Sequence, residues 1–130
     1  MTMNYFYKSQ AEQYTFIHIP KALVTGENFS ALSITAKILY GLLLDRMAMS
    51  VKNNWIDEEG RVYIYYQLSE IQDDMNVSKR KAIDCMGELE DIGLIQKNRQ
   101  GSGLPNQIYV RNFVDSESVR EKSEVQKLHF

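Results

Sequence analysis

The apolar pattern near the start of the chain predicts two short elements. Residues 15–19 alternate and are rich in aromatic and β-branched side chains, which predicts a strand that extends the domain at its N-terminus. Pro20 lacks the N–H that a strand ladder needs, so the strand should end there. One helical turn is expected at residues 21–24, before Gly26 breaks the chain.

A long apolar stretch follows Ser33, a residue type that commonly caps helices. From Ile34 to Met49 the apolar positions form a stripe too broad for an ordinary one-sided surface helix. We therefore expect a helix that is buried on more than one side, with a subunit contact as a candidate second surface. It should fade near residues 51–54.

The next segment has the pattern of a β-hairpin. Residues 55–57 and 61–65 flank a Glu-Glu-Gly turn at residues 58–60, and the second arm is rich in tyrosine. We expect a tight turn with a strand on each side.

Two helices separated by a short break are predicted after this hairpin. The first covers residues 68–75, and the second begins at Ser78, a capping residue. Gly93 fits the position just beyond the second helix, where a left-handed conformation commonly ends helices. The apolar residues that should lock the two helices together are Leu68, Ile71 and Met75 on the first and Ala82, Cys85 and Met86 on the second, whose inward face continues with Leu89 and Ile92.

A second hairpin completes the pattern. Residues 94–98 and 107–110 are its predicted strands, and a glycine-rich loop joins them. Short helix, tight turn, longer helix and hairpin, in that order, predict a winged helix-turn-helix. The expected fold class is α+β, with a helical core, a small antiparallel sheet and a β-hairpin wing.

Positive charge is concentrated at the start of the second helix, in Lys79, Arg80 and Lys81. Cations there oppose the helix dipole by roughly 0.3–1 kcal/mol each. The free backbone N–H groups of the same turn attract anions. Three cations at such a position favour an anionic partner, and the alternative is a charged cap that only meets solvent.

The loop of the second hairpin has the features of a wing tip. Gly101 and Gly103 allow a phosphate to come close to the backbone, and Lys97 and Arg99 add charge. A plain hairpin turn is the alternative interpretation. The glycine loop and the basic helix start together are more specific than either feature alone.

Length and composition limit the remaining classes of protein. The 130 residues suit one compact domain, and 44% hydrophobic residues are enough to form a core. Because the formal net charge is −2, any contact with nucleic acid depends on local cations. The single cysteine excludes an internal disulfide and fits a reducing cytoplasm. Neither a membrane span nor a secretory signal is predicted.

No motif indicates catalysis, a metal site or a cofactor. The sequence lacks CxxC, HExxH, GxSxG and a glycine-rich phosphate loop before a helix. Cys85 falls on a predicted inward face, and His18 has no second metal ligand near it in the sequence. The sequence therefore predicts a binding protein that is not an enzyme.

Four stretches of the chain carry a family resemblance. Three are specific: AKILYGLLLDRM at residues 36–47, NWIDEEGRVYI at 54–64, and RQG with PNQIYVRNF within 99–113. The fourth, ELEDIGLI at residues 88–95, occurs in many winged helices. On these stretches the chain resembles the RepA-type replication initiators of Gram-positive theta-replicating plasmids, the RepA_N family, and in particular members from staphylococcal multiresistance plasmids.

The resemblance implies a two-domain initiator. Its N-terminal winged helix would bind repeated origin DNA as a dimer, and a C-terminal domain would recruit host replication factors. Residues 1–113 would form the DNA-binding domain, and residues 114–130 a linker or terminal helix toward the second domain. The helix after Ser33 and the aromatic residues 5–7 are the candidate dimer surfaces.

The expected DNA contacts lie on two elements. The helix from Ser78 would enter the major groove, and the wing tip, residues 99–106, would lie on the backbone or in a minor groove. One departure is Leu104, where the resemblance implies a lysine. Leucine at this position would remove one phosphate contact of the wing. The expected contact residues are Gln67, Ser78, Lys79, Arg80, Lys81, Lys97, Arg99, Gln100, Gly101, Ser102, Gly103 and Asn106.

Two other functions fit the same fold, since fold alone does not fix function. A transcriptional regulator would bind sites in a promoter, whereas a winged helix used for protein contacts in a replication complex would not bind duplex DNA. The stretches at residues 36–47 and 99–113 favour the initiator. The basic cluster favours DNA over a protein partner.

Overall fold

In its described part the chain forms four helices followed by a two-stranded hairpin. The computed structural model describes residues 2–7 and 14–113, so the predicted linker or terminal helix at 114–130 lies outside it. The elements are α1 (Lys21–Thr25), a 3-10 turn (Glu27–Phe29), α2 (Ile34–Met47), α3 (Leu68–Met75), α4 (Lys79–Asp91), β1 (Ile95–Asn98) and β2 (Gln107–Val110). The strands pair antiparallel, with Ile95 opposite Val110. This is the predicted α+β winged helix-turn-helix, with α3 and α4 as its two helices and the β1–β2 hairpin as its wing.

Helix α2 lies at the centre of the core. Ser33 caps it, since the Ser33 Oγ accepts a hydrogen bond from the Ala36 N–H at 3.1 Å. The helix contacts α1, α4 and β2, and Leu39 and Leu43 are fully buried. The predicted burial of this helix on more than one side is confirmed.

Helix α2 ends at Met47, earlier than the predicted fade near residues 51–54. The three residues that follow donate backbone hydrogen bonds three residues back, which tightens the last turn. Ser50 is fully buried, and its Oγ donates to the Tyr63 carbonyl at 2.9 Å. This contact draws the segment after Met47 away from the axis of α2. An apolar pattern contains no information about such a contact.

The strand predicted at residues 15–19 is not formed. The segment has no assigned secondary structure, and Phe16 is 59% exposed. Its end lies across α2 at Gly41, where an added Cβ would come within 2.8 Å of the Ile19 Cγ1. The prediction was wrong because the segment packs on a helix and not on a sheet.

The hairpin predicted at residues 55–65 is paired along residues 55–57 and 61–63, although no regular strand is assigned there: the Asp57 N–H donates to the Arg61 carbonyl at 3.0 Å and the Tyr63 N–H to the Trp55 carbonyl at 3.1 Å. Ile56 and Val62 make an isolated antiparallel bridge, and Gly60 adopts a φ of 82° in the turn. Further along the second arm, Ile64 exchanges two backbone hydrogen bonds of 2.9 Å with Ile108 of β2. The predicted hairpin is therefore formed without regular strands, and its second arm continues into a bridge with the wing.

Helices α3 and α4 are locked together by the apolar residues that the spacing predicts. Ile71 of α3 is fully buried, and both its predicted partners on α3 are partly buried against the same core. On α4, Ala82, Cys85, Met86 and Leu89 are at most 3% exposed. Asn76 ends α3 in the left-handed conformation, with a φ of 54°, which allows the tight turn into α4.

The end of α4 corrects one predicted core residue. Ile92, predicted on the inward face, is 41% exposed. The Leu94 N–H donates to the Leu89 carbonyl at 2.9 Å and the Gly93 N–H to the Glu90 carbonyl at 3.0 Å, the paired bonds of a Schellman motif. With Gly93 at a φ of 87°, the chain reverses after Ile92, and Leu94 enters the core.

Candidate nucleic-acid interface

The first turn of α4 presents a compact group of cations to solvent. Ser78 caps the helix, because its Oγ accepts a hydrogen bond from the Lys81 N–H at 3.1 Å. Lys79, Arg80 and Lys81 are all exposed, and the turn contains no acidic residue. The helix start is therefore exposed, as the sequence predicts, and its charge opposes the helix dipole.

The outward face of α4 carries charged side chains that are largely exposed to solvent. Residues 80, 84, 87 and 91 follow one another at helical spacing, opposite to the buried face. The Arg80 Nε lies 3.4 Å from the Asp84 Oδ1, with the two side chains 84% and 52% exposed. An ion pair this exposed contributes at most about 1 kcal/mol, so Arg80 can exchange Asp84 for another anion at little cost.

Acidic side chains join the second half of α4 to the rest of the fold. Glu88 accepts two hydrogen bonds from Ser33, one from its N–H at 2.8 Å and one from its hydroxyl at 2.7 Å. Because Ser33 also caps α2, this carboxylate links α4 to the start of α2. The Glu90 Oε1 lies 3.9 Å from the Lys97 Nζ on β1. These contacts position α4 against both the core and the wing.

The wing tip, residues 99–106, is exposed throughout. Gly101 and Gly103 have φ values of 124° and 80°, which other residues rarely adopt, so the turn itself requires glycine. An added Cβ would meet nothing within 4 Å at either position. The space around the tip is therefore open to a close approach from outside.

Two predicted contact residues of the wing are engaged within the domain. The Gln100 Nε2 donates to the Pro105 carbonyl at 2.9 Å, which closes the loop. Lys97 faces Glu90, and its side chain is only 25% exposed. Arg99, the other predicted wing cation, lies on the exposed loop.

A groove of about 660 Å³ lies between α4, the start of α3 and the wing. Its apolar lining includes Ile83 of α4 and Leu104 of the wing. Four of the predicted contact residues line it, namely Gln67, Lys97, Gly103 and Asn106. The groove thus lies between α4 and the wing, but none of these four predicted contact residues is on α4, and the cations at residues 79–81 lie outside its lining.

Sequence reasoning missed Glu88 as a positioning residue. Its partner Ser33 is 55 residues away, and no local spacing relates the two. The available signal was indirect: a serine cap often pairs its own N–H with a carboxylate, and the third residue of α2, where that carboxylate usually stands, is Ala36.

The remaining reactive groups have structural surroundings. Burial raises the pKa of the Cys85 thiol, so it remains protonated near neutral pH. Burial also raises the pKa of Tyr66, whose hydroxyl donates a hydrogen bond to Asp74. Among residues 2–7 and 14–113, no three His, Cys, Asp or Glu side chains are grouped as a metal site requires. No helix in this part of the chain is long and apolar enough to cross a membrane.

Comparison with known proteins assigns the chain to a family. Residues 15–125 match the family described as the replication initiator protein A (RepA) N-terminus. The chain belongs to this family. The matched range contains all four helices and both strands of the described part, so the RepA N-terminus family accounts for the winged helix as a whole.

Solved structures similar to this RepA N-terminus domain cover nearly the whole chain. One is described as the N-terminal domain of a DNA binding protein; it is 31% identical, with a TM-score of 0.73, and the match covers 99% of this chain and 98% of that one. A structure of a Rep-DNA complex is 31% identical, with a TM-score of 0.72 and 98% of each chain covered. A structure of an MDR initiator is 29% identical, with a TM-score of 0.69, and covers 95% of this chain and 98% of that one. These similarities confirm the predicted fold.

A curated relative of this RepA N-terminus domain is considerably longer. The 41 kDa protein of Lactobacillus helveticus is 28% identical over 114 residues, which cover 83% of this chain and 32% of that protein. The chain therefore spans about a third of the length of this relative. A relative from a Gram-positive genus agrees with the predicted Gram-positive source of the family.

Proposed function

We propose that this domain binds double-stranded DNA at the repeats of a plasmid replication origin and so forms the DNA-reading part of a replication initiator. The observation that carries the proposal is the exposed group of Lys79, Arg80 and Lys81 at the start of the helix that faces the wing across the groove. Membership of the RepA N-terminus family and similarity to a structure described as a Rep-DNA complex support it.

In this proposal α4 enters the major groove with its N-terminal end first. Lys79 and Lys81 contact phosphates on the two sides of the DNA major groove, and the helix dipole favours the same anions. Arg80, on the outward face, donates in a bidentate way to the O6 and N7 atoms of a guanine. The acidic C-terminal half of α4 is repelled by the DNA backbone, which favours an approach by the first two turns and not by the full length of the helix.

The wing lies along the backbone or in the adjacent minor groove. Arg99 supplies charge, Ser102 and Asn106 supply hydrogen-bonding groups, and all three are exposed. Leu104 is 58% exposed and offers no charge to a phosphate. The wing is therefore expected to contribute fewer ionic contacts than the start of α4.

A pair of double variants tests the proposal. Lys79→Ala with Lys81→Ala removes two cations from the start of α4, and Lys21→Ala with Lys52→Ala removes two exposed cations elsewhere. The first should weaken binding to an origin-repeat duplex by at least about tenfold at low salt and reduce the salt slope by about 2, since each phosphate contact contributes roughly 0.9. The second should change neither. Unchanged affinity of the first at low salt would overturn the proposal.

Footprinting on the plasmid's own origin separates the initiator from a regulator and reports the assembly. Protected repeats inside the origin are expected, whereas protection confined to a promoter would favour a transcriptional regulator.

Paired protected half-sites are expected because we also propose a dimer. Its support is the exposure of three aromatic side chains near the N-terminus, Tyr5, Phe6 and Phe16, which are 85%, 59% and 59% exposed. Host replication factors are expected to bind other parts of a longer initiator.

A further inference from the structure

We infer that Ile83 of α4 recognises the methyl group of a thymine in the bound DNA, an inference that rests on the proposed function. Ile83 follows Arg80 by three residues and is 42% exposed. It is a large apolar side chain on a helix surface whose neighbours Arg80 and Asp84 are charged. Its position therefore calls for a physical reason.

The core does not supply that reason. The inward face of α4 is filled by Ala82, Cys85, Met86 and Leu89, which are at most 3% exposed. Helix propensity does not supply it either, because a β-branched side chain loses rotamer freedom in a helix. With 42% of its surface exposed, Ile83 keeps part of its apolar surface available for contact with a ligand.

The surroundings of Ile83 allow such a contact. It lines the groove with Gln67 and Leu104, so it faces the space between α4 and the wing. One turn further along α4 is Gly87, where an added Cβ would meet nothing within 4 Å. No side chain at position 87 stands beside Ile83 to hold a base pair away from it.

The chemistry of the major groove limits what Ile83 can read. A branched aliphatic side chain has no hydrogen-bond donor or acceptor, and the thymine C5-methyl is the apolar group that base pairs present in this groove. Residues three apart on a helix are displaced by about 4.5 Å along its axis, and base pairs rise by about 3.4 Å. The thymine is therefore expected within two base pairs of the guanine that Arg80 contacts.

Replacing thymine by deoxyuridine tests the inference, because it removes the methyl group and keeps the base pairing. Each thymine of an origin-repeat duplex is replaced in turn, and affinity is measured with the wild-type domain and with Ile83→Ala. The wild type should lose about fourfold in affinity at one position, the effect of one buried methyl-sized group. Ile83→Ala should bind the unmodified duplex less tightly and lose nothing further at that position, which is the non-additivity expected of a direct contact.

Ile92→Ala is the matched control, since Ile92 is 41% exposed at the opposite end of the same helix. It should bind and respond to deoxyuridine as the wild type does, and thermal unfolding should show that both variants fold. Wild-type affinity of Ile83→Ala, or an equal response of Ile83→Ala and wild type at every position, would overturn the inference. A wild-type domain that fails to bind the unmodified duplex would instead refute the proposed function.

Discussion

The two halves of α4 carry opposite charges, and both are placed against the helix dipole. Residues 79–81 are cations at the N-terminal end, and Glu88, Glu90 and Asp91 are acids at the C-terminal end. Each such charge is disfavoured by roughly 0.3–1 kcal/mol when nothing offsets it. The halves differ in what offsets it.

Two of these three acids are offset inside the domain. Glu88 accepts two hydrogen bonds from Ser33, and Glu90 lies near Lys97. The ion pair between Arg80 and Asp84 in the cationic half is, by contrast, largely exposed to water. The C-terminal half of α4 is thus bound to other parts of the domain, whereas the cations of the N-terminal half remain available to an external anion.

The largest expected effect comes from removing the bond between α4 and α2. Glu88→Ala should lower the free energy of unfolding by about 2 kcal/mol, since it removes two hydrogen bonds to a charged acceptor and leaves the Ser33 donors without it. Denaturant unfolding measures this. Asp91→Ala removes an exposed acid from the same end and should stay within about 0.5 kcal/mol of wild type. Equal stability of the two variants would contradict the claim that the contact of Glu88 with Ser33 stabilises the domain.

A smaller effect is expected from a single methyl group at the end of the same helix. Gly93→Ala should lower the free energy of unfolding by about 1 kcal/mol, because residue 93 has a φ of 87° in the Schellman motif. Gly87→Ala, within the helix and in open space, should raise it by about 0.5–1 kcal/mol. Thermal unfolding distinguishes the two signs, and shifts of the same sign would contradict the assigned end of α4.

Local features of the fold were predictable from the sequence. Ser33 and Ser78 cap the helices that follow them, and Gly93 lies directly after Ile92, the C-cap of α4. Each of these signals acts within a few residues, where backbone chemistry decides the structure. The apolar spacing of α3 and α4 also predicted their mutual contact, because amphipathic helices joined by a tight turn have few other ways to bury their apolar faces.

Contacts between distant segments were not predictable. An apolar pattern tells which face is buried and not what covers it, so residues 15–19 were expected to form a strand although they lie across Gly41. The pairing of Ile64 with Ile108 is similarly invisible to local spacing. At the candidate site the exposed cations followed from the sequence, whereas the internal contacts of Lys97 and Gln100 did not.

The smallest expected change in stability concerns the cationic half itself. Asp84→Asn weakens the pair with Arg80, and because that pair is 84% and 52% exposed, the free energy of unfolding should change by less than about 0.5 kcal/mol. DNA binding should respond differently: loss of a negative charge next to Arg80 should raise affinity for an origin-repeat duplex several-fold at low salt, with the gain shrinking as salt screens the charge. Asp91→Asn, which removes the same charge far from the helix start, should raise affinity less. If Asp84→Asn instead destabilised the domain as strongly as Glu88→Ala, Arg80 would be held by the fold, and the contrast between the two halves of α4 would be lost.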